Sequence, residues 1–176
     1  VVKTRAGKLV ITPKSINTQE ITVTKPADSQ YDGNEHRNLL TVKDGEKVLV
    51  KDTDYTLSYS EDVINAGTVT VTITGKGNYS QETTVDYQIT PRTVKLTSGS
   101  DSKTYDGTPL VKHNVTPSED GFVMDDGATY EFTGSQTNVG TSDNTFTYTL
   151  KDGTLASNYI ITTEAGKLTV NPVTDE

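Results

Sequence analysis

Three short apolar segments in this chain are each stopped by a proline, and the stops fall at near-even intervals. Ala6-Gly7-Lys8-Leu9-Val10-Ile11-Thr12-Pro13 has a near-twin in Ala165-Gly166-Lys167-Leu168-Thr169-Val170-Asn171-Pro172, and Asp86-Tyr87-Gln88-Ile89-Thr90-Pro91 is a third relative. Proline has no N–H to give a sheet ladder, so it suits a strand end or a linker. Pro13, Pro91 and Pro172 divide the chain at intervals of roughly 80 residues, and a fixed period of that kind marks a repeat architecture and limits what the chain can fold into.

Other landmarks keep step with the prolines. Tyr31-Asp32-Gly33 is followed by Asn65-Ala66-Gly67, and Tyr105-Asp106-Gly107 by Asn138-Val139-Gly140. Measured glycine to glycine, the two intervals agree to within one position. Asn78-Tyr79 precedes Pro91, and Asn158-Tyr159 precedes Pro172, by distances that again agree to within one position. The chain therefore reads as a first β unit over 14–91 and a second over 92–172. Residues 1–13 read as the closing strand of a preceding unit, unpaired or lent to a neighbouring edge. Residues 173–176 read as the start of a following unit or a tail.

The landmarks lie between stretches with the period of a pleated strand. Threonine is the commonest residue, at 32 of 176, and it alternates with apolar side chains. Gly67-Thr68-Val69-Thr70-Val71-Thr72-Ile73-Thr74 puts Val69, Val71 and Ile73 on one face and threonines on the other. Val85, Tyr87 and Ile89 share a face in the strand that ends at Thr90. Asp44-Gly45 between two apolar runs predicts a hairpin. Residues 114–127 resist assignment, with one helical turn expected around Ser118-Glu119-Asp120, and Ser98–Lys103 reads as a polar loop. No amphipathic helix is legible. The expected fold is all-β: two tandem small antiparallel β-sandwich (Ig-like) domains. The alternative is β-grasp-like units, which need a helix where the Asp44-Gly45 hairpin leaves no room.

Charge narrows the function classes. The net charge is −8 and the sequence pI about 4.7, so the basic stripe that nucleic acid requires is missing, and an anionic membrane surface would repel the chain. No apolar run approaches the roughly 20 residues of a membrane helix. There is no cysteine, hence no disulfide and no thiolate metal site.

Candidate sites are few. In Tyr-Asp-Gly, aspartate can accept nearby backbone N–H groups and glycine can take positive φ, so Tyr31, Asp32, Gly33 and Tyr105, Asp106, Gly107 read as turns that set register. Asp52, Asp54, Glu61 and Asp62, and Asp125 with Asp126, lack the spacing of a calcium loop and read as loop charge. His36 and His113 have no zinc spacing, and no nucleophile elbow or zinc-protease motif is present. The chain is expected to be no enzyme and to need no cofactor. Tyr55, Tyr59 and Tyr130 are the aromatics that a ligand surface would use. Asn78-Tyr79-Ser80 and Asn114-Val115-Thr116 match the glycosylation sequon.

Lys103-Thr104-Tyr105-Asp106-Gly107-Thr108-Pro109-Leu110, then Gly134-Ser135-Gln136-Thr137-Asn138-Val139-Gly140, Asn158-Tyr159-Ile160-Ile161 and Leu168-Thr169-Val170-Asn171-Pro172, resemble the YDG/MBG-type repeats of bacterial surface proteins. Unit one is similar to a sister repeat through Asp54-Tyr55-Thr56-Leu57-Ser58-Tyr59 and Gly75-Lys76-Gly77-Asn78-Tyr79, though its Tyr31-Asp32-Gly33 lacks the following Thr-Pro-Leu. The resemblance implies an extracellular, wall-displayed tandem array in adhesin-like proteins, with neighbouring repeats as partners and no enzyme activity. Three functions are expected in order: a stalk spacer, a module binding host glycan, mucin or matrix protein, and an accessory module of a secreted polysaccharide-acting enzyme. Proteins of this kind sometimes carry Lys–Asn isopeptide cross-links; Lys25, Lys95 and Lys103 are candidates, but only unit two closes on an asparagine, Asn171, where unit one has Thr90.

Overall fold

The computed structural model describes residues 3–118 and 120–174. The chain folds as two compact units. The first comprises 1–29, 35–63 and 67–89, and the second comprises 90–176 together with the segments 30–34 and 64–66.

The first unit is built from β1 (Lys14–Ser15), β2 (Ile21–Thr24), β3 (Ser29–Gln30), β4 (Thr41–Asp44), β5 (Lys47–Val48), β6 (Tyr55–Tyr59), β7 (Gly67–Gly75), β8 (Tyr79–Ser80) and β9 (Glu82–Thr90). These form sheets of order β2-β4-β5, β3-β9-β7-β6 and the pair β1-β8. The hairpin expected at Asp44-Gly45 is present: Asp44 pairs with Lys47 and Gly45 has φ 54°. Threonine alternation in β7 places Val69, Val71 and Ile73 in the interior, each at most 1% exposed. Ile16, Ile21, Val42, Leu49, Tyr55 and Tyr79 join Ile73 in one cluster. Burying each such side chain contributes about 1.5–3 kcal/mol, which is how a chain of modest hydrophobicity still makes a core. Lys3–Pro13 form no strand, and Leu9, Val10 and Ile11 are exposed.

The second unit contains β10 (Arg92–Ser98), β11 (Asp101–Thr104), β12 (Val115–Pro117), β13 (Ala128–Phe132), β14 (Gly140–Asn144), β15 (Phe146–Leu150), β16 (Tyr159–Glu164) and β17 (Gly166–Asn171). Its sheets have the orders β12-β10-β16, β11-β17-β14 and β13-β15. Val94, Leu96, Leu168 and Val170 are essentially inaccessible.

The all-β expectation holds, and among the described residues no helix of the kind a β-grasp needs is formed. Those residues include one turn of 3-10 helix, Ala156–Asn158. The pairing corrects the purely antiparallel expectation, because β1-β8, β10-β16 and β11-β17 run parallel. The stretch read as a polar loop over 98–103 contributes β11, whose pairing comes from a distant strand and not from its own apolar pattern. Ser118 and Asp120 lie in no helix, and Glu119 of the expected helical turn lies outside the described residues, as do Asp175 and Glu176 of the expected tail.

β10-β11 and β16-β17 keep one register throughout. Arg92 faces Tyr159 and Thr97 faces Glu164; beyond a gap, Asp101 faces Leu168 and Thr104 faces Asn171. The offset between partners is the same at every paired position. In the gap the backbone ladder is replaced by serine hydroxyls: Gly166 N–H donates to Ser98 Oγ and Lys167 N–H to Ser100 Oγ, both at 2.9 Å.

Candidate functional site

Each Tyr-Asp-Gly is a turn built by its own side chains. Asp32 Oδ1 accepts the Asn34 N–H at 2.9 Å, and Asp106 Oδ1 accepts the Thr108 N–H at 2.9 Å. Both are the two-residue reach that lets a short carboxylate shape its own backbone. Gly33 and Gly107 both have φ 80°, where an L side chain is strained. Each tyrosine donates its backbone N–H to the residue just before a closing proline: Tyr31 to Thr90 O at 2.9 Å and Tyr105 to Asn171 O at 2.8 Å.

The side chains differ. Lys103 Nζ donates to Asp106 Oδ1, Thr108 O and Thr108 Oγ1, each at 2.7 Å. That ammonium, helped by the Thr108 N–H and hydroxyl, holds the Asp106 carboxyl well below the usual carboxylate range. Tyr105 is 41% exposed, whereas Tyr31 is 7% exposed.

Within the second unit, Tyr31 belongs to an aromatic cluster around one carboxylate. Tyr31 Oη donates to Asp126 Oδ2 at 3.0 Å and Tyr159 Oη donates to the same oxygen at 2.6 Å. The two rings meet edge to face at 5.5 Å, and Phe122 meets Tyr159 at 5.0 Å. Val123 N–H donates to Tyr159 Oη at 3.1 Å. Burial first, then the bond to Asp126, pushes both phenols above their ordinary value. Asn158, almost fully buried, accepts the Ala66 N–H on Oδ1 and donates from Nδ2 to Asn65 Oδ1, both at 2.8 Å.

Beside this cluster the second unit has an open cleft of about 530 Å³ whose walls include Phe122, Asp126, Ala128, Tyr130 and Lys151. Its size is that of a small-ligand site. Phe122 and Tyr130 supply ring surface, Asp126 a carboxylate and Lys151 an ammonium. Of the three tyrosines expected to face a ligand, Tyr130 alone lines this cleft. Tyr55 is a correction: at 4% exposure its ring sits in the core of the first unit. The alternation of Tyr55-Thr56-Leu57-Ser58-Tyr59 turns it inward. Tyr59 is half-buried in that unit, donates to Asn38 O at 3.0 Å and lies under the Arg37 guanidinium at 5.6 Å. Phe122 and Lys151 carried no local sequence signal, since they reach the cleft from segments far apart in the chain.

Two of the acidic candidates are engaged in hydrogen bonds of the fold. Asp54 Oδ2 accepts the Val50 N–H at 2.9 Å, and Asp126 serves the two phenols. Among the described residues no group of three or more His, Cys, Asp or Glu could hold a metal ion. His113 stacks on Phe132 at 5.0 Å. Lys25, Lys95 and Lys103 pair with Asp28, Glu164 and Asp106.

The YDG domain model matches residues 90–166. No curated protein matches the chain.

Proposed function

We propose that this chain, whose residues 90–166 are a YDG domain, is a structural spacer: tandem repeats from the stalk of a bacterial surface-displayed, adhesin-like protein. The observation that carries this reading is one hydrogen-bonded frame occurring twice. The residue after a proline, Lys14 or Arg92, pairs in parallel with the tyrosine of an Asn-Tyr, Tyr79 or Tyr159. That tyrosine's hydroxyl donates to an aspartate, Asp44 at 3.1 Å or Asp126 at 2.6 Å. The Tyr-Asp-Gly tyrosine then bonds the residue before the next proline. A frame that recurs while surface residues diverge is what selection for a repeated scaffold leaves. The acidic charge fits an extracellular, soluble array.

A second reading, a module for host glycan, mucin or matrix protein, is favoured by the cleft of Phe122, Tyr130, Asp126 and Lys151, because half-buried aromatic rings beside a carboxylate and an ammonium suit sugars. The two readings part in one experiment. The chain is passed over glycan and mucin arrays beside Tyr130→Ala. The spacer reading expects no saturable binding by either; saturable binding that Tyr130→Ala abolishes replaces it with the module reading.

A further inference from the structure

We infer that the second unit is a mechanical clamp, built so that tension between its two ends loads the backbone ladder between β10-β11 and β16-β17 in shear. The inference rests on the spacer reading for one point only, that the chain is pulled in service; the clamp itself is a matter of strand geometry.

The chain enters the ladder at Arg92 and leaves it at Asn171. Arg92 stands at one end of the parallel ladder, opposite Tyr159, and Asn171 stands at the other end, opposite Thr104. Pulling the ends apart draws the entering and leaving strands past one another along their axes. These two strands are directly bonded, with ten paired positions in a single register. Every bond in the ladder then shares the strain, and the strands part only when many bonds fail together. Had the two strands been antiparallel, entry and exit would lie at one end, and the same pull would open the bonds one after another.

Three details reinforce the ladder. The gap where the strands pass from one sheet to the next is closed by Gly166 N–H to Ser98 Oγ and Lys167 N–H to Ser100 Oγ. Ser98 also donates to Asn144 O at 2.6 Å, tying the gap to β14. Beyond the last paired position, Tyr105 N–H adds a further bond to Asn171 O. Placed there, the second Tyr-Asp-Gly turn ends the ladder at the point where tension arrives.

The test is single-molecule force spectroscopy on the full chain, using two pulling axes. The chain has no cysteine, so introduced thiols define the points of attachment. One arm pulls through the chain ends, and unfolding of the second unit is recognised by its release of on the order of 250 Å of contour length. The other arm pulls under reducing conditions between Thr93→Cys and Ile160→Cys, which face one another near the Arg92 end of the ladder and have exposed side chains. Both arms start from the same folded unit, so global stability cancels and only the direction of load differs. The clamp requires a severalfold higher unfolding force through the chain ends than through the 93–160 axis. It also requires that Ser98→Ala with Ser100→Ala lower the first force by a larger fraction than the second. Equal forces on the two axes overturn the clamp. Saturable glycan binding by the chain, with the force difference intact, overturns the spacer reading and leaves the clamp standing.

Discussion

Gly166 donates its backbone N–H to the Ser98 hydroxyl at 2.9 Å, in the gap where the long parallel ladder of the second unit lacks a backbone partner. The approach is close enough that a Cβ on Gly166 would meet the carbonyl oxygens of Ser98 and Gly99 and come within 2.6 Å of Gly99 C. Backbone cannot move aside there without breaking the ladder on both sides. Gly166→Ala is expected to destabilise the second unit by about 2–3 kcal/mol, within the range for overpacked interiors. Ser98→Ala, which leaves a buried N–H unpaired, costs about 1–3 kcal/mol. Denaturant unfolding followed by hydrogen exchange at residues 92–171 reads both; a Gly166→Ala protein as stable as wild type contradicts the close approach.

Asn144 is fully buried and donates from Nδ2 to Gly99 O at 2.9 Å and Lys112 O at 2.8 Å. Two carbonyls converge on one amide nitrogen, so only a donor fits. Asn144→Asp sets a carboxylate against both acceptors and is expected to cost at least about 3 kcal/mol at neutral pH, more than Asn144→Ala at about 2 kcal/mol. Thermal melts that rank alanine below aspartate sink this account.

The two Tyr-Asp-Gly glycines share a φ of 80° but not their surroundings. A Cβ on Gly107 meets nothing within 4 Å, while one on Gly33 meets Met124 Sδ at 3.1 Å. Gly107→Val therefore carries the backbone strain alone, about 1–2 kcal/mol. Gly33→Val adds the displacement of Met124 and is expected to cost more. Equal unfolding midpoints for the two variants refute the difference.

Acid acts on the second turn through Asp106. Its carboxyl is held below the usual range by Lys103 and Thr108, so the folded state favours the ionised form. That contribution is present above about pH 4 and is lost as the pH falls from there toward the folded-state value. Asp106→Asn should lower stability at neutral pH, with the difference from wild type shrinking in acid. A difference independent of pH removes the charge from the explanation.

Alkali acts on the aromatic cluster with the opposite sign. Burial and Asp126 raise the Tyr159 phenol, and Tyr31 is raised for the same reasons. The folded state holds these protons more tightly than the unfolded chain. The stability this gives is complete below about pH 10 and falls as the pH rises beyond it. Tyr159→Phe should flatten that decline, and ultraviolet titration should show tyrosinate forming late at Tyr159 in the wild type. Tyrosinate absorbance appearing in one step for all nine tyrosines counts against it.

Much of the frame was legible before folding. Alternation at Val69, Val71 and Ile73 reports a half-buried strand because side chains point to opposite faces with period two. Asp44-Gly45 reports its hairpin because few residues accept positive φ, and the evenly spaced prolines mark where β9 and β17 end. The candidate cleft was legible only in Tyr130. Tyr55, chosen with the same logic, points the other way, since period two does not say which face of a strand the core will take.

Sequence alone determined the apolar alternating strands and the Asp-Gly turns, because these depend on local backbone preference and spacing. Tertiary structure decided which strands pair and in which direction. Asp101–Thr104 and Gly140–Asn144 have no apolar rhythm, yet both are strands because β17 supplies their hydrogen-bond partners from a distance. The single register joining Arg92–Thr104 to Tyr159–Asn171 follows from how backbone donors and acceptors are satisfied between segments distant in the chain, and no local pattern encodes that satisfaction.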